Sequence, residues 1–156
     1  MEFTNLSKPI RINNLTLKNR MAAAPMVSNC AGYDGHTNNR ILDLYRRKAK
    51  GGWSLITVEA SYVREDGKNF NRMHGIYNDS FIGGLSELAE AIHDGGAKAS
   101  IQIMHAGKIA VPRWTKRQIV TPYLNVNDSI YTNESEEGKV SISSLRAGDV
   151  IPHQLT

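Results

Sequence analysis

A single cysteine, Cys30, stands in 156 residues. A disulfide framework and a cysteine-based metal cluster each need more, so neither is expected, and Cys30 reads as a plain free thiol of a reducing, cytoplasmic protein. No apolar run approaches the roughly 20 residues that span a bilayer, so no membrane partner is expected. The opening Met1-Glu2-Phe3-Thr4-Asn5 lacks a basic region followed by an apolar stretch, so no signal peptide is expected. Aromatic residues make up 7% of the chain, and none interleaves with basic residues as in nucleic-acid-binding surfaces. The net charge is +4, but the cations are scattered. Their densest group, Arg46, Arg47, Lys48 and Lys50, falls on a predicted helix and reads as a solvated face, not a nucleic-acid patch. His36, His74, His93 and His153 have no metal-ligand spacing; no metal is expected, and they read as surface or loop residues.

The chain that remains is patterned for alternating strands and helices. Ile10-Arg11-Ile12 and Leu15-Thr16-Leu17 flank Asn13-Asn14, a β-hairpin pattern. Met21 to Met26 is an apolar strand that Pro25 stops, since proline cannot donate to a ladder. A loop follows, from Asn29 to His36. Ile41, Leu44, Tyr45 and Ala49 recur at helical spacing between Asn38 and Lys50, and Gly51-Gly52 closes that helix. Trp53 to Glu59 is rich in apolar and β-branched residues and reads as a strand, with Ala60-Ser61 at its exit. Loop residues run to about Asn78. Asp79 or Ser80 caps a second helix whose face carries Phe81, Leu85, Leu88, Ala89 and Ile92, ended by Gly95-Gly96. Lys98 to His105 is a third strand.

The order is therefore a hairpin, then β-α-β-α-β, which implies adjacent parallel strands joined by right-handed crossovers. The expected organisation is an N-terminal hairpin over 1–20, three strands with their helices over 21–108, and a proline-rich loop region over 109–156. Within the last, 123–130 and 139–143 read as a polar hairpin.

Ile101-Gln102-Ile103-Met104-His105-Ala106-Gly107-Lys108 carries the strongest chemical signal. On a strand, Gln102 and Met104 share one face, and Ile101, Ile103 and His105 the other. An amide among apolar neighbours needs hydrogen-bond partners, and its mixed donors and acceptor suit the edge of a heteroaromatic ring. His105 reads as structural support through a backbone carbonyl. Tyr33, Tyr62 and Arg64 lie in strand-exit stretches, where packing and substrate contact are both open readings.

Several motifs occur together in order: Leu15-Thr16-Leu17-Lys18-Asn19-Arg20, Ala24-Pro25-Met26, Lys50-Gly51-Gly52, Glu59-Ala60, Gly75-Ile76-Tyr77 and the stretch 101–108. This set resembles the N-terminal part of the Old Yellow Enzyme family of flavin oxidoreductases, and within it the branch with 2,4-dienoyl-CoA reductase, 2-enoate reductase and the NADH:flavin oxidoreductases. The resemblance implies an α/β fold, the N-terminal portion of a (β/α)8 TIM barrel, with FMN held non-covalently at the C-terminal mouth of the strands. By the same resemblance, the Pro25-Met26-Val27 backbone runs along the isoalloxazine, Ala60 touches the ring, and Gln102 bonds its pyrimidine edge. Val27 stands where relatives often carry Thr or Cys, and Lys108 where Arg is more frequent.

A whole barrel of this kind takes about 250 residues or more. The resemblance implies that the substrate-binding His/His or His/Asn pair, the proton-donating Tyr and the phosphate loops lie further along such a barrel, so no catalytic residue is assigned within this chain. The expected function is that of the N-terminal segment of an FMN-dependent NAD(P)H oxidoreductase, which passes a hydride through flavin to an activated alkene. The alternative is a non-catalytic half-barrel that acts only by self-association or with a C-terminal half-barrel partner.

Overall fold

The computed structural model describes residues 3–115, 120–121 and 153–154. A one-turn helix α1 (Thr4–Ser7) leads into the antiparallel hairpin β1 (Ile10–Ile12) and β2 (Leu15–Leu17), in the register Ile10↔Leu17, Arg11↔Thr16, Ile12↔Leu15. Asn13 takes φ 50° in its two-residue turn, a conformation asparagine tolerates better than most residues.

The chain then builds β3 (Ala22–Ala23), α2 (Asn39–Lys50), β4 (Leu55–Tyr62), β5 (His74–Gly75), α3 (Ile82–Asp94), β6 (Lys98–Met104) and α4 (Pro112–Thr115). β4 is central. It pairs in parallel with β3 on one edge and with β6 on the other, so the three expected strands are adjacent, parallel and in the expected order. Beyond these, β7 (Val120–Thr121) pairs in parallel with β8 (His153–Gln154). The hairpin read at 123–130 and 139–143 lies outside the described residues.

The elements differ from the sequence reading in four places. The first strand is two residues long, not six: it pairs with β4 only over Ala22–Ala23, and Pro25, with no N–H to donate, lies beyond its end. The second strand continues through Ala60 and Ser61 to Tyr62 instead of ending at Glu59. What reads as loop up to Asn78 contains β5, which pairs in parallel with Ser61–Tyr62. Near α3, Asn78 supplies the cap, accepting from the Ser80 N–H, and a 3-10 turn over Asp79–Phe81 precedes the helix.

Helix α2 forms where expected. The Asn38 side chain accepts from the Ile41 N–H at 3.2 Å and donates to the Cys30 carbonyl at 2.9 Å. Arg47, Lys48 and Lys50 in its last turn complement the negative end of the helix. Gly52 follows at φ +99°, where a side chain would be strained. The N-terminal ends of the strands are tied by polar bonds. Asn19 Nδ2 donates to the Gly52 carbonyl at 2.8 Å, and the fully buried Ser54 hydroxyl lies 2.9 Å from the carbonyls of Asn19 and Met21.

Helices α2 and α3 cover one face of the sheet. Ile41, Tyr45 and Ala49 from α2, Leu88, Ala91 and Ile92 from α3, and Ile56 and Val58 from β4 form the main core. Gly95 closes the helix pair, since a methyl there would run into Ala49.

Two substitutions test this packing by urea unfolding. Ile92→Ala should cost about 2–5 kcal/mol through lost burial and the cavity left behind. Gly95→Ala should cost about 1–3 kcal/mol by forcing α2 and α3 apart. Near-neutral effects of both would contradict this account of the core.

Candidate functional site at the C-terminal end of the sheet

The pairing of β4 with β6 slips once. Val58 stands opposite Ile101 and Ser61 opposite Ile103, so Glu59 and Ala60 together face the single Gln102. Two residues against one is a β-bulge, which re-aims the side chains beyond it. Without it, Val58 and Ala60 would share a face. With it, Val58 packs in the core under the helices, while Ala60 joins Tyr62 and Met73 in a second apolar cluster, with Val27, Tyr77 and Met104 against it. Gln102 is two residues from Met104 on β6 and shares that face.

Among the described residues, no helix lies over this face of the sheet. It carries Thr57 and Ser100, whose hydroxyls lie 2.8 Å apart and exposed, then Gln102, then the Ala60 cluster at the strand ends. Gln102 is exposed, and its amide has no hydrogen-bond partner among the described residues. Pro25 is half-buried, Met26 is 72% exposed, Val27 lies half-buried against the cluster and Ala60 is buried. The structure thus brings Val27, Ala60 and Gln102 to one face at the C-terminal end of the strands, with Pro25 and Met26 in the segment that leads into it. An apolar wall, free backbone groups and one open amide can hold a flat heteroaromatic ring.

Glu59 was not foreseen as part of the site. It is fully buried. Its backbone N–H donates to the Tyr45 hydroxyl at 2.7 Å, and its Oε2 accepts the Ser28 N–H at 2.7 Å. Its Oε1 and the Ser28 Oγ are buried without partners among the described residues. Burial raises the Glu59 pKa above the usual carboxylate range, against the bonds from Ser28 and the field of Lys48. A glutamate placed directly after the run Leu55-Ile56-Thr57-Val58 is the signal available in the sequence.

Two loops stand at this end, and polar contacts bind them together. Lys68 is buried, donates from Nζ to the Tyr33 carbonyl at 2.8 Å, and lies 5.5 Å from the centre of the Tyr62 ring. Arg72 stacks over the exposed Tyr33 ring at 4.1 Å, and its N–H donates to Asn29 Oδ1 at 2.7 Å. Gly35, at φ +90°, lies against Tyr62, where a Cβ would strike the hydroxyl. Tyr62 is therefore buried packing, not an open contact.

His105 does not bond a backbone carbonyl as expected. Its Nδ1 accepts the Gly107 N–H at 3.0 Å, which leaves the neutral ring's proton on Nε2, 3.3 Å from Asp66 Oδ1. Arg64 holds the other oxygen of Asp66 at 2.8 Å. The Asp66 carboxylate thus latches the exit of β4 to the exit of β6, beside an open hollow of about 330 Å³ lined by Val63, Arg64, Glu65, Asp66 and Tyr77. His74 corrects its surface-or-loop reading: it is fully buried on β5, with Nε2 3.4 Å from the Thr37 hydroxyl and Nδ1 unpartnered. No group of three or more His, Cys, Asp or Glu is placed to hold a metal among the described residues, and no described helix is long and apolar enough to cross a membrane.

The sequence profile of the NADH:flavin oxidoreductase / NADH oxidase family matches residues 5–150. The chain belongs to this family. It is 40% identical over 115 residues to an NADH oxidase of Thermoanaerobacter brockii, a match that covers 73% of this chain and 18% of that protein. Its fold matches 2-naphthoyl-CoA reductase in complex with 2-naphthoyl-CoA at a TM-score of 0.77 and 29% identity, over 81% of this chain and 21% of the other. It also matches the Old Yellow Enzyme homologue of Zymomonas mobilis at a TM-score of 0.70 and 26% identity, over 78% of this chain and 34% of the other. The chain thus spans between about a fifth and a third of the length of these flavin oxidoreductase relatives, and its α/β fold is the N-terminal portion of their barrel.

Burial lowers the His74 pKa from 6.5 to about 4. Between those values the unfolded chain binds a proton that the folded one refuses, so His74 makes the fold lose stability as pH falls through this window. The loss should reach roughly 3 kcal/mol between pH 7 and pH 4. Denaturant unfolding of wild type and His74→Gln across that range checks it: the variant should lack this part of the slope, and parallel curves would contradict the assignment.

Proposed function

We propose that this chain is the N-terminal part of an FMN-dependent NAD(P)H oxidoreductase of the ene-reductase type, in the branch with enoate and dienoyl-CoA reductases. The observation that carries the reading is the open Gln102 amide, on one sheet face with Ala60 and the Val27 packed against it, at the C-terminal end of a parallel sheet. Barrel enzymes place their chemistry at that end. FMN, when bound, supplies hydride transfer, taken from NAD(P)H and given to the β-carbon of an activated alkene. The residues of this chain position and shield. The Pro25-Met26-Val27 backbone would line the ring, Ala60 would leave room for it to approach, and Gln102 would offer donors and an acceptor to its pyrimidine edge. The similarity to 2-naphthoyl-CoA reductase, bound to an aromatic acyl thioester, supports a small unsaturated acyl substrate. The lone thiol of Cys30 accords with a cytoplasmic site of action.

Full-length protein should bind FMN, and Gln102→Leu should weaken that binding by roughly 1–3 kcal/mol, since flavin polar groups lose their partner. Fluorescence titration measures both. An unchanged affinity in the variant would remove Gln102 from the cradle.

A second reading, a half-barrel that acts with another chain, draws on β6. Ile101 is 37% and Ile103 69% exposed, and β6 pairs only with β4 among the described residues. Open edges of this kind recruit further strands. The 156-residue chain alone should sediment as a dimer or larger species; a stable monomer at high micromolar concentration would argue against this reading.

A further inference from the structure

We propose that Glu59 is a positioning residue for the flavin cradle, its buried carboxyl fastening the segment Pro25–Ser28 to β4 at the bulge. The inference rests on the FMN reading above. Three observations converge on it. Glu59 has no exposed surface, a costly place for a carboxyl that only fills space. Its Oε2 takes the Ser28 N–H at 2.7 Å, a bond at the short end of the N–H···O range. Its own N–H is held by Tyr45 of α2, also at 2.7 Å, so the carboxyl projects from an anchored backbone.

The consequence follows from covalent geometry. Val27 and Ser28 share one peptide plane, and the described peptide bonds are all trans. With the Ser28 N–H directed at Glu59, the Val27 carbonyl is held pointing away from it. One hydrogen bond thereby sets the orientation of the backbone that leads from Met26 into the Ala60 cluster. The β-bulge makes this arrangement: it sends Ala60 to the open face while its neighbour Glu59 reaches the strand-exit segment.

The test uses the full-length holoprotein as wild type, Glu59→Gln and Glu59→Met. Glutamine keeps an acceptor for the Ser28 N–H; methionine keeps the volume and removes the acceptor. Three readouts are taken: FMN affinity by fluorescence titration, the position of the visible flavin absorbance bands, and hydrogen exchange at the Ser28 amide. Glu59→Met should weaken FMN binding by roughly tenfold or more, shift the flavin bands and speed Ser28 exchange, and Glu59→Gln should restore all three toward wild type. If Glu59→Met does not fold, Glu59→Asp takes its place, since its shorter arm withdraws the carboxyl from Ser28, and it should show the same losses. Wild-type affinity and unshifted bands in the folded acceptor-less or shortened variant would overturn the proposal and leave the FMN reading standing. Wild-type protein that binds no FMN would overturn the FMN reading itself, and this inference with it.

Discussion

Side chains alternate along a strand, and that alternation must break once in β4 for the rest of this structure to exist. Val58 belongs under the helices with Tyr45 and Ile92, and two residues later Ala60 packs on the opposite side with Tyr62 and Met73. A regular strand cannot do both. The slip of Glu59 and Ala60 against Gln102 reconciles them. It gives the strand a lower half committed to the core and an upper half committed to the open face. It also accounts for the burial of every residue from Val58 to Tyr62. The arrangement buries an acid, Glu59, bonded on one oxygen by the Ser28 N–H.

The two ends of the sheet are built differently. At the N-terminal end, Asn19, Ser54 and the backbone of Lys98 and Met21 bond one another directly, and these contacts serve stability. At the C-terminal end, long loops are held by reaching side chains: Lys68 to Tyr33, Asn29 to the Arg72 N–H, Arg72 to the Tyr33 ring, His105 and Arg64 to Asp66. These bonds join segments far apart in sequence and leave the face between them open. Parallel sheets are usually covered on both faces. Here the face left uncovered by the described residues is polar at Thr57, Ser100 and Gln102, in keeping with the inner wall of a barrel.

Much of this was legible in the residues. The spacing of Ile41, Tyr45 and Ala49 and the paired glycines placed both helices, and the β-α-β-α-β order placed the three parallel strands. Gln102 announced itself as an amide in an apolar strand, and its face followed from pleating. Three things were not legible. The two-residue length of β3 depends on where its pairing with β4 stops, which its own apolar run does not mark. β5 is too short to carry a periodic pattern. The bulge is a register slip between two strands, and a single strand's alternation contains no trace of it. For that reason Ala60 reads as lying past the end of its strand, and Glu59 as an ordinary strand residue. His74 likewise gives no sign in sequence of the burial that β5 imposes on it.

The central claim is that Ala60, Val27 and Gln102 form one side of a flavin cradle. Nuclear magnetic resonance of the 15N-labelled full-length protein, stripped of flavin and then titrated with FMN, tests it most directly. The account predicts that the side-chain amide signals of Gln102 and the backbone signals of Val27 and Ala60 move together on FMN addition, while those of Asn19 and Ser54 at the opposite end of the sheet stay in place. FMN binding that leaves Gln102, Val27 and Ala60 unmoved would contradict it.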